Sequence, residues 1–282
     1  MLTYPRKLLH RTAKQFFRSL GYEVVWHRRQ GRDTRDGTRY VAEFSPRLIF
    51  DYFYAWESQF VADGQRLGGS TDYSTQRVSM LNVPELHEHI DLRGKTVLEL
   101  GPLEGGNTAL LTKLGVARVV AVEARVENYV KCCVIKNLLG LDNARFLLGD
   151  AREISLETHG RFDLALVAGV LYHLDDPHVL LQHLGGMTDT LLISTHYADD
   201  SSPTPEAKVL TLSTPYGEYR GRVFQEGGLS EINSGVQSWS FWPFEETLLR
   251  MLADAGYRDV RVLKKNPVPE ETYKLIYLIA RK

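Results

Sequence analysis

Between residues 94 and 195, short apolar runs alternate with longer segments whose apolar positions recur every three to four residues. The runs 96–100, 119–123, 144–148, 162–168 and 190–195 are rich in Val, Leu, Ile and Ala and are bounded by polar or glycine-bearing stretches, the pattern of strands buried on both faces. The intervening segments 108–114, 127–139 and 178–184 carry the helical period. This alternation predicts an α/β fold with a doubly wound, parallel sheet joined by right-handed crossovers.

Outside this region the pattern changes. Residues 4–25 place Leu8, Leu9, Ala13, Phe16, Phe17 and Leu20 on one face with cations opposite, which predicts an amphipathic helix ended by Gly21. Residues 30–40 are polar and turn-rich, and aromatic residues crowd 50–60, where a further helix is expected. After the fifth run, residues 196–240 interrupt the alternation for longer than an ordinary connection, as an inserted cap or lid does. A helix over 245–255 and strand-like runs at 260–264 and 273–280 follow. The expected organisation is a helical, basic extension over 1–93 and a sheet-bearing domain over 94–282, with the insertion at about 197–240.

Composition narrows the class. The chain has 282 residues, enough for a sizeable core, and its 43% hydrophobic and 24% charged content is that of a globular protein. It contains no apolar stretch near the ~20 residues of a membrane helix and no uninterrupted apolar leader, so a cytoplasmic location is expected. Cys132 and Cys133 are adjacent in a helical pattern, a spacing that suits neither a disulfide framework nor a tetrahedral metal site. Net charge is −1, but residues 1–40 hold ten Lys/Arg against three Asp/Glu. That basic front would suit nucleic acid, an anionic surface or acidic residues of the same chain.

The candidate chemistry centres on VLELGPLEGGNT, residues 97–108, where the first strand turns into the first helix. In open α/β sheets ligands bind at that place. Gly101, Gly105 and Gly106 let backbone approach a ligand closely, and Glu99 offers an acceptor to a cation or hydroxyl. The spacing departs from the G-x-G-x-x-G of dinucleotide sites, and Glu99 and Glu104 would repel a pyrophosphate. Glu123 ends the next strand, where a carboxylate can accept from both ribose hydroxyls. Asp150 follows the third strand, positioned for an adenine amino group, and the small pair Ala168–Gly169 ends the fourth. Acids for an ammonium, a ribose and an adenine together describe an adenosyl amino acid.

On these residues the chain resembles the class I S-adenosylmethionine-dependent methyltransferases. The resemblance covers roughly residues 94–282 and is carried by VLELGPLEGG, VVAVEA, LLGDA and DLALVAGVLYHLDDP, in that order. It implies a Rossmann-like seven-stranded sheet with the last strand antiparallel. It also implies cofactor contacts at Glu99, Gly101, Gly105, Glu123, Ala124, Asp150, Ala151, Ala168, Gly169 and Tyr172. Many members carry glycine where Leu103 stands. The segment GVLYH, residues 169–173, is similar to the bacterial tRNA wobble-uridine carboxymethyltransferases and to many small-molecule methyltransferases. In that tRNA enzyme the tyrosine matching Tyr172 helps bind a carboxylated cofactor.

Two histidines are candidate general bases. His173 follows the fourth strand, near where the cofactor's sulfur is expected, and His196 ends the fifth; the alternative for each is a structural hydrogen bond or cap. Tyr216, Tyr219, Arg220, Arg222, Trp239 and Trp242 populate the insertion. They are expected either to line a pocket for an aromatic or anionic acceptor or to form the insertion's own small core. The cluster Glu85, His87, Glu88, His89 contains metal-ligand types, but neither helix nor strand turns them to one point, so no metal is expected. The sequence thus predicts methyl transfer from S-adenosylmethionine to oxygen or nitrogen of a small molecule, such as a natural-product intermediate or sugar conjugate. The alternatives are a tRNA-modifying enzyme and a non-catalytic adenosyl-binding protein.

Overall fold

The computed structural model describes residues 46–53, 55–200, 208–227, 233–266 and 273–282. The expected helix at 4–25 and the polar stretch 30–40 lie outside the described residues. The chain divides into two units, Met1–Trp56 and Glu57–Lys282. In the first, α1 (Pro46–Tyr52) is followed by Trp56, whose indole donates to the Phe50 carbonyl at 3.1 Å and whose ring packs on Phe50 and Phe53. The helix expected over 50–60 stops at Tyr52.

The second unit opens with a two-stranded hairpin, β1 (Gln59–Ala62) and β2 (Gln65–Gly68), and a short helix, α2 (Pro84–His89). The alternation then unfolds as read: β3 (Thr96–Leu100), α3 (Gly106–Lys113), β4 (Arg118–Glu123), α4 (Val126–Leu139), β5 (Ala144–Leu148), the single turn α5 (Leu156–His159), β6 (Leu164–Ala168), α6 (Pro177–Met187) and β7 (Thr190–His196). Because β3, β4, β6 and β7 are buried along nearly their whole length, their apolar runs are continuous, as a sheet covered on both faces demands.

The inserted segment is a sheet of its own, which turn-rich composition concealed. Its strands β8 (Val209–Thr214), β9 (Gly217–Gln225) and β10 (Trp239–Pro243) pair antiparallel in the order β10-β9-β8. The chain returns through α7 (Glu245–Asp254), which buries Thr247, Leu248, Met251 and Leu252 on one stripe and has Glu245 and Glu246 at its positive end. The strands β11 (Asp259–Lys265) and β12 (Leu275–Arg281) complete the main sheet.

The main sheet has seven strands in the order β11-β12-β7-β6-β3-β4-β5. Five are parallel, and β12 runs antiparallel to both of its neighbours, β7 and β11. This is the expected Rossmann-like sheet. Its largest core packs Leu98, Val167, Leu181, Ile193, Met251 and Ile276 between sheet and helices. From β3 the chain winds outward through β4 to β5, then returns to β6 on the other side of β3. That reversal opens a crevice at the carboxyl ends of β3 and β6. Among the described residues, no helix is long and apolar enough to cross a membrane.

Candidate active site

A cleft of about 560 Å³ lies at this crevice. The turn after β3 borders it with Gly101 and Leu103, β4 with Glu123 and Ala124, the turn after β5 with Asp150 and Ala151, and β6 with Ala168, Gly169, Tyr172 and His173. His196 from the end of β7 completes the group, so ten sequence-predicted residues meet around one space.

Local conformation explains the turn. Gly101 sits at φ +63°, and a Cβ there would approach Val170 Cγ2 to 2.7 Å, so both backbone and space require glycine. Leu103, which stands where many related chains have glycine, also occupies the left-handed region at φ 56°. Gly105 caps α3 and faces Phe146, Ile135 and Cys132, away from the cleft.

Glu99 lies below the turn, 1% exposed. Thr108 Oγ1 donates to its Oε2 at 2.5 Å, while the buried Oε1 has no hydrogen-bond partner among the described residues. Burial pushes its carboxyl up to about 7, assisted by the nearby Glu123 and opposed by the Thr108 hydroxyl. A buried acceptor without a donor is costly, and a cationic ligand head at the turn is the kind of group that relieves it.

The other two acids behave differently. Glu123 accepts the amides of Leu103 at 3.2 Å and Arg125 at 2.9 Å, and burial still raises it. Those bonds leave lone pairs on both oxygens for hydroxyl donors. Asp150 is partly buried, which alone would raise it, but the Arg152 guanidinium at 2.8 Å and the Arg152 amide at 2.9 Å hold it below the usual carboxylate range. Arg152 also reaches Asp175 and Asp176, at 3.3 and 3.4 Å.

At the opposite end, His173 Nδ1 lies 3.0 Å from Glu226 Oε2, a pairing across 53 residues of sequence. The same carboxylate oxygen accepts from Ser234 Oγ at 2.8 Å and from the Gly235 amide at 2.6 Å. Burial by itself would push Glu226 up, but the hydrogen bond and charge of His173 and the Gly235 amide hold it down at about 2. Residues 233–236 therefore form a strap along the cleft, and Arg125 grips its other edge through the Ser234 carbonyl at 2.6 Å and the Gly235 carbonyl at 3.1 Å. A side chain at Gly235 would meet the His173 carbonyl at 2.7 Å.

His196 is set by packing. Its ring stacks on Trp242 at 4.9 Å and 8°, and its Nδ1 lies 3.1 Å from the Lys274 carbonyl, to which it donates. Burial pushes it down to about 4, with the Lys274 carbonyl opposing, so it is neutral at pH 7.

None of the six insertion residues expected at a substrate pocket borders this cleft. Tyr219 is 0% exposed and donates to Asp254 at 2.7 Å, beneath the guanidinium of Arg250. Arg220 and Arg222 lie over the Phe244 ring, at 5.1 and 6.0 Å. Tyr216 is exposed at the β8–β9 turn, and Trp239 packs against the main core. Trp242 supports the site from behind: it stacks on Phe224 at 3.8 Å and donates to the Tyr172 carbonyl at 2.7 Å. Instead, part of the wall comes from Glu57, Thr71, Tyr73, Arg77 and Val78, with Tyr73 packed on Gly106 of the turn and the Glu57 amide bonded to Glu104. Sequence patterning gave no sign of these residues, since they belong to irregular segments before the sheet. Of the cluster at 85–89, His87 lies 2.8 Å from the Leu81 carbonyl and His89 contacts Arg261.

Comparison with known proteins meets this geometry. A family model described as a methyltransferase domain matches residues 75–262. Among solved structures, the N-terminal domain of EvdMO1 with SAH bound is similar at a TM-score of 0.69 and 23% identity, over 83% of this chain and 94% of that one. The same domain in the presence of SAH and D-fucose gives 0.68 and 24%, over the same shares. Magnesium protoporphyrin IX methyltransferase from Synechocystis PCC 6803 with bound SAH gives 0.51 and 15%, over 73% of this chain and 82% of that one. At these identities the likeness to the solved structures is one of fold. Comparison with curated proteins finds no match. The family model covers two thirds of the chain, including the turn, the three acids and both histidines, and the chain therefore belongs to the methyltransferase-domain family.

Proposed function

We propose that the cleft binds S-adenosylmethionine and that the protein transfers its methyl group to oxygen or nitrogen of a small molecule. The observation that carries this reading is the order of acids at the strand ends: Glu123 at the end of β4 and Asp150 after β5 border the cleft, and Glu99, which does not border it, lies buried below the turn with an unpartnered Oε1. Glu99 would serve the cofactor's ammonium, Glu123 the ribose hydroxyls and Asp150 the adenine amino group. Ala151, Ala168 and Gly169 leave room for the flat base and the sulfur chain, and Ala124 borders the ribose. The bound cofactor supplies a methyl group on a positively charged sulfur.

The chain's own part is to bind, orient and exclude water. Alignment of a nucleophile with a transferable group is worth ~7–11 kcal/mol in favourable systems. Tyr73, Tyr172 and His196 wall the acceptor side with rings, and the strap at 233–236 narrows access to solvent. D-fucose accompanies SAH in one structure of similar fold, which supports a sugar or sugar conjugate as acceptor here. On this reading the catalytic unit includes the hairpin and wall from Glu57 onward, and the insertion is its cap. The basic residues 1–40, on which the tRNA reading would depend, lie outside the described residues.

Calorimetric titration of ligand-stripped protein with S-adenosylhomocysteine tests the proposal. Saturable one-to-one binding is expected, weakened at least tenfold, about 1.4 kcal/mol, in Gly101→Val, whose side chain collides with Val170. Unchanged affinity in that variant would remove the cofactor from this turn.

A further inference from the structure

The segment just after β9 contacts a cleft residue in a way that the cofactor does not require. Glu226 follows the end of β9 and reaches back to His173, which follows β6. Its carboxylate is 8% exposed and the imidazole 21%, so the pair is shielded while the ring still borders the cleft. Three donors converge on one carboxylate oxygen: His173 Nδ1, Ser234 Oγ and the Gly235 amide. An ionised carboxylate only accepts, so the Nδ1 of a neutral His173 must carry the proton and its Nε2 must carry the lone pair.

We propose that Glu226 is a positioning residue that fixes His173 in the Nδ1–H tautomer, making Nε2 the base that deprotonates a hydroxyl acceptor; this rests on the methyltransferase reading above. A hydroxyl, unlike a carboxylate, has a proton to lose as it is methylated. The acceptor oxygen's lone pair forms the new bond to the methyl carbon and the methyl–sulfur bonding pair returns to sulfur. The hydroxyl proton passes to Nε2, leaving an imidazolium beside the Glu226 carboxylate until solvent takes the proton. Glu226 thus does for His173 what a buried carboxylate does for any catalytic imidazole: it holds the ring's orientation and offsets the charge that develops on it. His196 is the weaker candidate, because its lone pair belongs to a ring buried against Trp242.

The test is nitrogen NMR of the full chain labelled at histidine, saturated with S-adenosylhomocysteine at pH 8.5, where an ordinary imidazole is neutral. The ring nitrogens of His173, assigned by comparison with His173→Gln, report which one is protonated. Wild type is expected to show Nδ1–H, and Glu226→Met, which keeps the length and removes the acceptor, is expected to lose that signature. A wild-type His173 protonated at Nε2 overturns the inference, as does an unchanged tautomer in a Glu226→Met protein that still binds S-adenosylhomocysteine. If Glu226→Met fails to fold, the wild-type spectrum alone decides. Failure of wild type to bind S-adenosylhomocysteine overturns the function reading instead, and this inference with it.

Discussion

Glu99 holds a carboxyl group where charge is expensive. Burial raises it to about 7 from an ordinary 4.5, so its contribution to stability is fully present below 4.5 and is lost as pH rises through about 7. An ammonium seated against it reverses that preference, because an opposite charge favours the ionised form. Binding of S-adenosylhomocysteine near pH 7 is therefore expected to release a fraction of a proton. The release appears as a binding enthalpy that changes with the buffer's heat of ionisation, and Glu99→Gln should remove the dependence. Equal enthalpies in all buffers for wild type would detach Glu99 from the ammonium. At this scale the sequence was informative where chemistry is local: Glu99, Gly101, Glu123 and Asp150 each sit at a strand end that the apolar pattern marks. Glu226 was not legible, because its partner lies 53 residues away and nothing in a run of alternating residues announces a contact across two sheets.

Among the elements, α4 carries an unusual burden. Its Lys131 is 0% exposed and pairs with Glu104 at 3.1 Å and Glu127 at 3.0 Å, while Glu104 also accepts the amides of Glu57, at 3.0 Å, and Ser58, at 2.7 Å. One carboxylate thus ties the turn after β3, helix α4 and the segment leading into β1. Removing one partner of a buried pair leaves the other charge unsolvated. Lys131→Met is expected to cost about 3 kcal/mol in urea unfolding. A loss below about 1 kcal/mol would mean that the two amides alone suffice for Glu104. The strands and main helices of the alternating region were readable to within about three residues at each end, since continuous burial forces continuous apolar runs, while the single turn α5 was not marked out. The cap strands were not: β8 alternates between exposed and half-buried positions with no apolar run to betray it, and Gly, Ser and Thr around it imitate a loop.

For the whole molecule, the cleft draws its walls from the sheet, from residues 57 and 71–78 before it, and from the strap at once, so a ligand that fills it ties those parts together. Binding to the folded state alone stabilises by about 2.7 kcal/mol at one hundred times the dissociation constant. Differential scanning calorimetry with S-adenosylhomocysteine at that level should raise Tm by roughly 5 °C. A rise of less than about 2 °C would mean that the cleft does not unfold together with the rest of the molecule.

The placement of β12 has a consequence for how this molecule is assembled. It follows β11 in the chain yet lies inside it, hydrogen-bonded to β7 along one side and to β11 along the other. Until β12 arrives, β7 presents a bare row of amides and carbonyls, and β11 has nothing in the sheet to join. The strand that closes the sheet is thus made after both of the strands it joins. A nascent chain of this topology carries an open, apolar edge from the synthesis of β7 until β12 arrives, and is vulnerable to misassociation over that interval.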